Sequence, residues 1–457
     1  MRSVIRRHEE DPRQRVGVKV FMARLNARSR LSASVRTLFL CAVAALAAEF
    51  CALADAAQSA PVDASERLED LIAEGLRNSP YLAELRSQWL AQRQAAPQVS
   101  TVPDPEIAFQ NLAVGNPIPG HGLQTSNFAY FGYGISQEIP FPGKLGLNAK
   151  IARADERYLE QQLALGANLT GQKISELYYE LSYRNSEHQL LLNKREELRQ
   201  IQQITETRYR VGEAEQQDVL KAQLQMSAIL KELVDNEETS EQAQAQLKAI
   251  LGRDADSPAI RVGSLKPTEL SLGGAKLRAQ AAQASPQLKA QRALEEQASD
   301  KLARVRKDFL PDFVLQYMYQ NTGARFPDYY MATIGAKVPL YFWRKQKPAL
   351  KQASLELEAA RARLHATELS VYSSLGVEEA ARKATARLMT VYQEGLLPQA
   401  EATYESALAS YRVGKLDFET LLSAFNDVLE LKRGYYRALT DHEIATSKIK
   451  ELLGQFH

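Results

Sequence analysis

The side chains that could do chemistry are few, and their spacing argues against catalysis. His121, His188, His365, His442 and His457 stand far apart, so no two of them share a helix face as a pair of metal ligands would. The two cysteines, Cys41 and Cys51, both lie near the N-terminus. No Gly-rich phosphate loop and no nucleophile beside a base is present. The expectation is a protein that is not an enzyme, needs no cofactor and holds no metal site. The positive signal is a turn that occurs twice. Thr207-Arg208-Tyr209-Arg210-Val211-Gly212 returns 202 residues later as Ala409-Ser410-Tyr411-Arg412-Val413-Gly414. Carboxylates follow each copy closely: Asp218 after the first, Asp417 and Glu419 after the second. Glycine closes a helix and reverses the chain at little steric cost, so one reading of each turn is a plain helix end. The other adds that Val211 and Val413, apolar groups carried into water, mark a partner surface.

The elements that position these turns form a long internal repeat. Leu247-Lys248-Ala249-Ile250-Leu251-Gly252 maps at the same offset onto Ile449-Lys450-Glu451-Leu452-Leu453-Gly454. Asn78-Ser79-Pro80 answers Ala284-Ser285-Pro286, and Pro103-Asp104-Pro105 answers Leu310-Pro311-Asp312. We therefore divide the chain into an N-terminal segment, 1–56, and two structural repeats, 57–262 and 263–457, that form one integrated domain. Each repeat reads as helix–strand–strand–helix–helix, a mainly α fold with a small β part. The pattern predicts a first helical stretch over 66–97, interrupted at Asn78-Ser79-Pro80. Strands follow at about 105–113 and 127–139, then a proline-free helix over 144–210 and a return helix over 214–251. Leu177, Leu181, Leu191 and Leu198 fit 4-3 spacing, so the helices should pair as coiled coils. His188 falls in that seam and reads as a core histidine rather than a ligand.

Length sharpens the picture. At about 1.5 Å per residue the helix 144–210 spans about 100 Å, and the two shorter helices, stacked end to end, match it. The second half repeats the arrangement, with 342–412 against 416–453 plus 274–308. Pro398 should kink the second long helix. In the strands, Phe131, Tyr133, Ile135 and Ile139 alternate with Gly132, Gly134, Ser136 and Glu138. Phe313, Leu315, Tyr317 and Tyr319, and then Tyr330, Ala332, Ile334 and Val338, alternate likewise. This is the dyad pattern of membrane-barrel strands, although soluble antiparallel sheets alternate too. Four strands cannot close a barrel, and open edges do not persist in lipid. A barrel would have to be shared among protomers, and three copies supply twelve strands. Phe128, Tyr130, Tyr329, Tyr341, Phe342 and Trp343 would suit an interfacial belt.

Residues 1–56 read as a targeting segment. Arg24, Arg28, Arg30 and Arg36 precede the apolar run Leu38 to Ala48, and Ala54-Asp55-Ala56 offers a cleavage site. A long basic region leaves Met22 as an alternative start. Cys51 would be a lipid-attachment site in a lipoprotein signal, but Glu49 and Phe50 suit that processing poorly. Without this segment the chain has no cysteine, hence no disulfide or thiol chemistry. Ten of the 57 Lys/Arg and five of the 55 Asp/Glu leave with it, so 47 basic face 50 acidic residues, a net of about −3. That balance gives no electrostatic case for nucleic-acid binding.

The order of elements and the paired Tyr-Arg-Val-Gly turns resemble those of TolC-type outer-membrane efflux proteins, over about residues 66–454. Ile135-Ser136-Gln137-Glu138-Ile139-Pro140 and Val338-Pro339-Leu340, each leading into a long helix, add to the likeness. The resemblance implies a homotrimer in the outer membrane of a Gram-negative bacterium. Its twelve-stranded β-barrel would continue as a periplasmic α-helical barrel. It implies a passive conduit within a tripartite efflux pump, with a periplasmic adaptor and an inner-membrane transporter of the RND type as partners and outer-membrane lipid around the barrel. Arg210, Val211, Gly212, Arg412, Val413 and Gly414 would be the adaptor-docking tips. Family gates carry acids six and nine residues after the second tip glycine, where this chain has Thr420 and Ser423. Asp218, Asp417, Glu419, Thr420 and Ser423 are therefore the candidate periplasmic gate. The acids among them would attract cations as threefold rings, or else simply complement the positive starts of their helices. Gln137-Glu138-Ile139-Pro140-Phe141-Pro142-Gly143-Lys144 and Gly395-Leu396-Leu397-Pro398-Gln399-Ala400 resemble the heavy-metal branch, which makes metal cations one possible cargo. The alternative is a periplasmic coiled-coil adaptor, which would carry one helical hairpin between β-rich domains instead of two hairpins.

Overall fold

The computed structural model describes residues 65–268 and 273–456. The N-terminal segment 1–56, with Cys41 and Cys51, and also His457 lie outside the described residues. In chain order the first half contains α1 (Leu68–Asn78), α2 (Pro80–Arg93), α3 (Ala95–Ser100), β1 (Glu106–Leu112), β2 (Tyr130–Ile139), α4 (Lys144–Arg210) and α5 (Gln216–Leu251). The second contains α6 (Gly274–Ala284), α7 (Pro286–Arg306), β3 (Asp312–Asn321), β4 (Tyr329–Lys337), α8 (Gln346–Val391), α9 (Leu397–Arg412) and α10 (Phe418–Leu452).

The 67-residue α4 is unbroken and about 100 Å long. Along its first half it packs against α2 and α7, where Gly166 lies against Tyr81, Leu82 and Leu85, and Arg304 Nε donates to Asn148 at 2.9 Å. Along its second half it packs against α5 and α10. The two shorter helices do stack end to end. A side chain at Gly252, after α5, would come within 3.2 Å of the Asn78 carbonyl at the α1–α2 break. Gly454, after α10, meets Ala284 and Pro286 at the α6–α7 break in the same way. The motifs that mark the repeat in sequence are thus the ones that touch in space.

The core is a series of apolar clusters strung along the helices. Leu177 and Leu181 pack with Leu71, Leu247 and Leu251; Leu191 and Leu198 pack with Ile229, Tyr411, Phe418 and Phe425 nearer the turns. His188 departs from expectation. The buried stripe of α4 runs through Leu181, Glu187, Leu191, Lys194, Leu198, Ile201 and Thr205, one position before His188. A strict 4-3 repeat drifts by about 20° per heptad on a straight helix, and here the seam shifts phase after Leu181. His188 is half-buried on the wall of a groove between α4 and α5. Among the described residues the buried histidine is His442 of α10, whose ring nitrogens face the Arg382 and Thr268 carbonyls at 3.2 Å.

Pro398 also acts through a specific device. The turn Tyr392–Leu396 is π-helical, between α8 and α9. A proline cannot donate to the carbonyl four residues back and its ring crowds that carbonyl. Widening the preceding turn accommodates both effects, as π-bulges do.

The four strands form one antiparallel sheet in the order β1-β2-β3-β4. Register places Phe109 opposite Tyr133, Ile135 opposite Tyr317, and Leu315 opposite Ile334. Opposed residues share a face. One face therefore carries Ile107, Phe109, Tyr133, Ile135, Leu315, Tyr317, Tyr330 and Ile334, all exposed, with Ile107 and Ile334 at 82% and 81%. The other carries Gly132, Gly134, Gln316, Gln320 and Thr333. The outer edges of β1 and β4 have no partner strand among the described residues. No helix among the described residues is long and apolar enough to cross a membrane.

Candidate functional site

The two turns close their helices by one and the same motif. At the end of α4 the Gly212 N–H donates to the Tyr209 carbonyl (3.0 Å) and Glu213 N–H to that of Arg208 (2.9 Å). At the end of α9, Gly414 N–H donates to Tyr411 (3.1 Å) and Lys415 N–H to Ser410 (3.0 Å). This 6→1 and 5→2 pair is the Schellman closure, which needs a left-handed residue. Gly212 and Gly414 supply it, at φ +79° and +73°. Val211 and Val413 are each 67% exposed, and Arg210 and Arg412 are exposed beside them. Arg210 is held over its own helix end, its Nε donating to the Glu206 carbonyl at 3.3 Å.

Arg208 joins the turns. Its guanidinium lies 4.6 Å from the Tyr411 ring centre, Nη1 donates to the Tyr411 carbonyl at 2.7 Å, and Nη2 donates to the Glu213 carbonyl at 3.1 Å. The Tyr411 hydroxyl donates to Thr205 Oγ1 at 2.9 Å, and its ring meets Phe418 edge-on. Burial pushes the Tyr411 phenol up from its ordinary range. Farther from the turns, the buried Lys194 ammonium sits 4.9 and 4.8 Å from the Tyr404 and Phe425 ring centres and pairs with Glu197 at 2.8 Å. Burial, with Glu197 adjacent, raises the Tyr404 phenol to about 12. These contacts tie α4 to α9 and α10 with cations held against ring faces.

Of the candidate gate residues, Asp218, Asp417 and Glu419 lie around Lys221, a lysine that the sequence pattern did not single out. Lys221 Nζ is 2.7 Å from Glu419. Its hydrogen bond to Glu419, with Asp218 and Asp417 also nearby, raises the ammonium above its ordinary range. Asp417 is the N-cap of α10. Its carboxylate accepts from the Thr420 N–H at 2.8 Å and from the Thr420 hydroxyl at 2.9 Å, and these donors hold it below the usual carboxylate range. Thr420 is thus committed to the cap, and Ser423 is exposed. Asp218 is half-buried in the first turn of α5. Gln225 Nε2 donates to Asn426 at 3.0 Å, so α5 and α10 are linked again one turn on.

Sequence reasoning missed Thr205, Arg208, Tyr411 as a buried anchor, and Lys221. The 202-residue offset holds a usable signal. Thr205 pairs with Ala407, Arg208 with Ser410, and Lys221 with Ser423, so at each pair the first repeat has the larger side chain and the longer polar reach. The described residues contain no cluster of three or more His, Cys, Asp or Glu able to hold a metal ion.

Comparison with known proteins fits this geometry. The family described as outer membrane efflux protein matches residues 71–253 and 277–455. No curated protein matches the chain significantly by sequence. Among solved structures, the outer-membrane channel OprN superposes with a TM-score of 0.74 at 15% identity, covering 85% of this chain and 90% of its own. CusC gives 0.74 at 14% identity, with 85% and 92% covered. The outer membrane protein VceC of Vibrio cholerae gives 0.71 at 17% identity, with 85% and 96% covered.

Proposed function

Because the chain belongs to the outer membrane efflux protein family, we propose that it is the outer-membrane channel of a tripartite efflux pump, a passive conduit with no catalytic step. The observation that carries this reading is the sheet: four strands with one exposed apolar face and two edges that have no partner strand among the described residues. Such edges are stable in lipid only when paired. Three protomers would pair them into a twelve-stranded barrel, and the long helices would line up beneath it as a periplasmic tube. The two repeats, 57–262 and 263–457, would each add two strands and one layer of helix to that wall.

The turn residues Arg210, Val211, Gly212, Arg412, Val413 and Gly414 are the proposed contact with a periplasmic adaptor, which would bring an RND-type inner-membrane transporter. Two exposed valines on hydrogen-bonded turns support that role. The proposed gate comprises Asp218, Asp417, Glu419, Thr420 and Ser423, with Lys221 beside the three acids. Asp218 is the acid we assign to cation preference, since Asp417 is engaged in capping and Glu419 in pairing with Lys221. The cargo proposed is small solutes, with metal cations as one class on the resemblance of 137–144 and 395–400.

Fractionation and planar-bilayer recording test the reading together. The full chain should be recovered from the outer membrane as a trimer that conducts ions, and Asp218→Asn should lower its cation preference. Recovery as a soluble periplasmic monomer would instead favour an adaptor. Unchanged selectivity in Asp218→Asn would remove that residue from the gate.

A further inference from the structure

The connections from strand to long helix differ between the repeats. Four residues, Pro140–Gly143, link β2 to α4, and the only aromatic among them, Phe141, is half-buried beneath the Lys307 ammonium, 5.7 Å from its ring centre. Eight residues, Val338–Lys345, link β4 to α8. Val338, Leu340, Tyr341, Phe342 and Trp343 in this longer link are all exposed. Phe342 and Trp343 pack edge to face at 5.2 Å, and Tyr341 meets Trp343 at 6.1 Å. Backbone bonds from Arg344 and Lys345 N–H to the Tyr341 carbonyl (3.0 and 3.1 Å) fix the turn.

Cations follow the aromatics at once. Arg344, Lys345 and Lys347 are exposed, and no carboxylate lies within ion-pair distance of any of them among the described residues. Behind the turn is a cavity of about 470 Å³ bordered by Lys144, Lys337 and Lys345 and by Asp308 and Asp312. Lys144 there pairs with Asp312 at 2.8 Å and with Asp308 at 3.5 Å, and Lys337 pairs with Glu138 at 3.4 Å, while Lys345 makes no ion pair among the described residues. The apolar alternation of β4, Tyr330, Ala332, Ile334, continues through Ala336, Val338 and Leu340. Beyond the end of β4 at Lys337, the exposed Val338 and Leu340 lie between the sheet and the aromatic turn.

We propose that Leu340–Lys347 is a binding surface for anionic phospholipid head groups in the bilayer leaflet nearest the helices, with Tyr341, Phe342 and Trp343 seated at the interface and Arg344, Lys345 and Lys347 on the phosphates. The inference rests on the outer-membrane reading above. Aromatic rings favour the head-group level, and each cation near an anionic surface changes lipid preference about fivefold at physiological salt. Charge complementarity and continuity with the apolar sheet face select lipid over a protein partner, because the surface is apolar toward the strands and basic toward the helices.

The chain has two tryptophans, Trp89 and Trp343, so Trp89→Phe leaves Trp343 as a single reporter. The full-length variant, reconstituted in phosphatidylcholine nanodiscs, is titrated with brominated phosphatidylglycerol or brominated phosphatidylcholine at equal mole fraction. Trp343 should be quenched preferentially by the anionic lipid. The preference should fall in high salt and disappear in Arg344→Gln/Lys345→Gln/Lys347→Gln. Equal quenching by both lipids, or a preference that survives the triple substitution, overturns the proposal while leaving the membrane reading standing. Absence of quenching by either lipid overturns it as well, and conductance of the same sample then reports separately on whether the channel reading holds. The salt titration uses unsubstituted basic residues, so the test does not depend on the triple variant folding.

Discussion

In the first turn Tyr209 is 45% exposed, and α5 starts at Glu215 without a side-chain cap. In the second, the equivalent Tyr411 is 1% exposed, bonded to Thr205, covered by Arg208 and packed on Phe418, and α10 starts at a capping Asp417. The backbone closures are the same; what surrounds them is not. The first turn lends its side chains to the second and keeps its own tyrosine outside. One tyrosine of the duplicated pair is a buried anchor, and the other lies in the open.

The comparison can be broken most directly at the tyrosines. Tyr411→Ala should destabilise the turn region by about 3–5 kcal/mol, the range for truncating a buried aromatic, whereas Tyr209→Ala should stay within about 0.5 kcal/mol. Hydrogen exchange of the amides around 205–222 and 407–425 would measure both, and equal effects would dissolve the distinction. Next in size is Arg208→Ala, which removes two charged hydrogen bonds from backbone carbonyls. A loss of about 1.5–3 kcal/mol is expected, with faster exchange in both turns rather than one. If only the first turn loosens, Arg208 is not the link described.

The caps should differ by less. Asp417→Ala is expected to cost about 1 kcal/mol and Glu215→Ala almost nothing, read as shifts in thermal midpoint. The Asp417 carboxyl is held below its unfolded value, so its contribution is fully present above about pH 4. It is lost as pH falls through the lowered folded value, and the gap between Asp417 and its alanine variant should close there. Smallest is Glu419→Gln, since the pair with Lys221 is largely exposed and screened by solvent, and the thermal midpoint should barely move. A larger effect would mean that this carboxylate has a role beyond that pair.

Much of the fold is local in origin and could be read in advance. Helix 144–210 follows from a long proline-free stretch, the turns from glycines that must adopt positive φ, and the sheet faces from strict alternation. The turn environments could not be read, because Tyr209 and Tyr411 sit in the same Tyr-Arg-Val-Gly motif. What separates them comes from Thr205 and Arg208, about 200 residues from Tyr411 in sequence. His188 and His442 make the same point: heptad spacing put the first in the seam, while accumulated drift left it on a groove wall. Pro398 predicted a disturbed helix, but not that one π turn would absorb it.

The stacked joints at Gly252 and Gly454 have an electrostatic consequence. α5 and α2 both run antiparallel to α4, so the negative end of one macrodipole abuts the positive end of the next; α10 and α7 meet alike. Neither α2 nor α7 has an acidic residue in its first turn or a side-chain cap. Each has the carbonyl end of a neighbouring helix in that place. Two helices far apart in the chain are thus spliced, in their field, into one continuous dipole opposite each long helix.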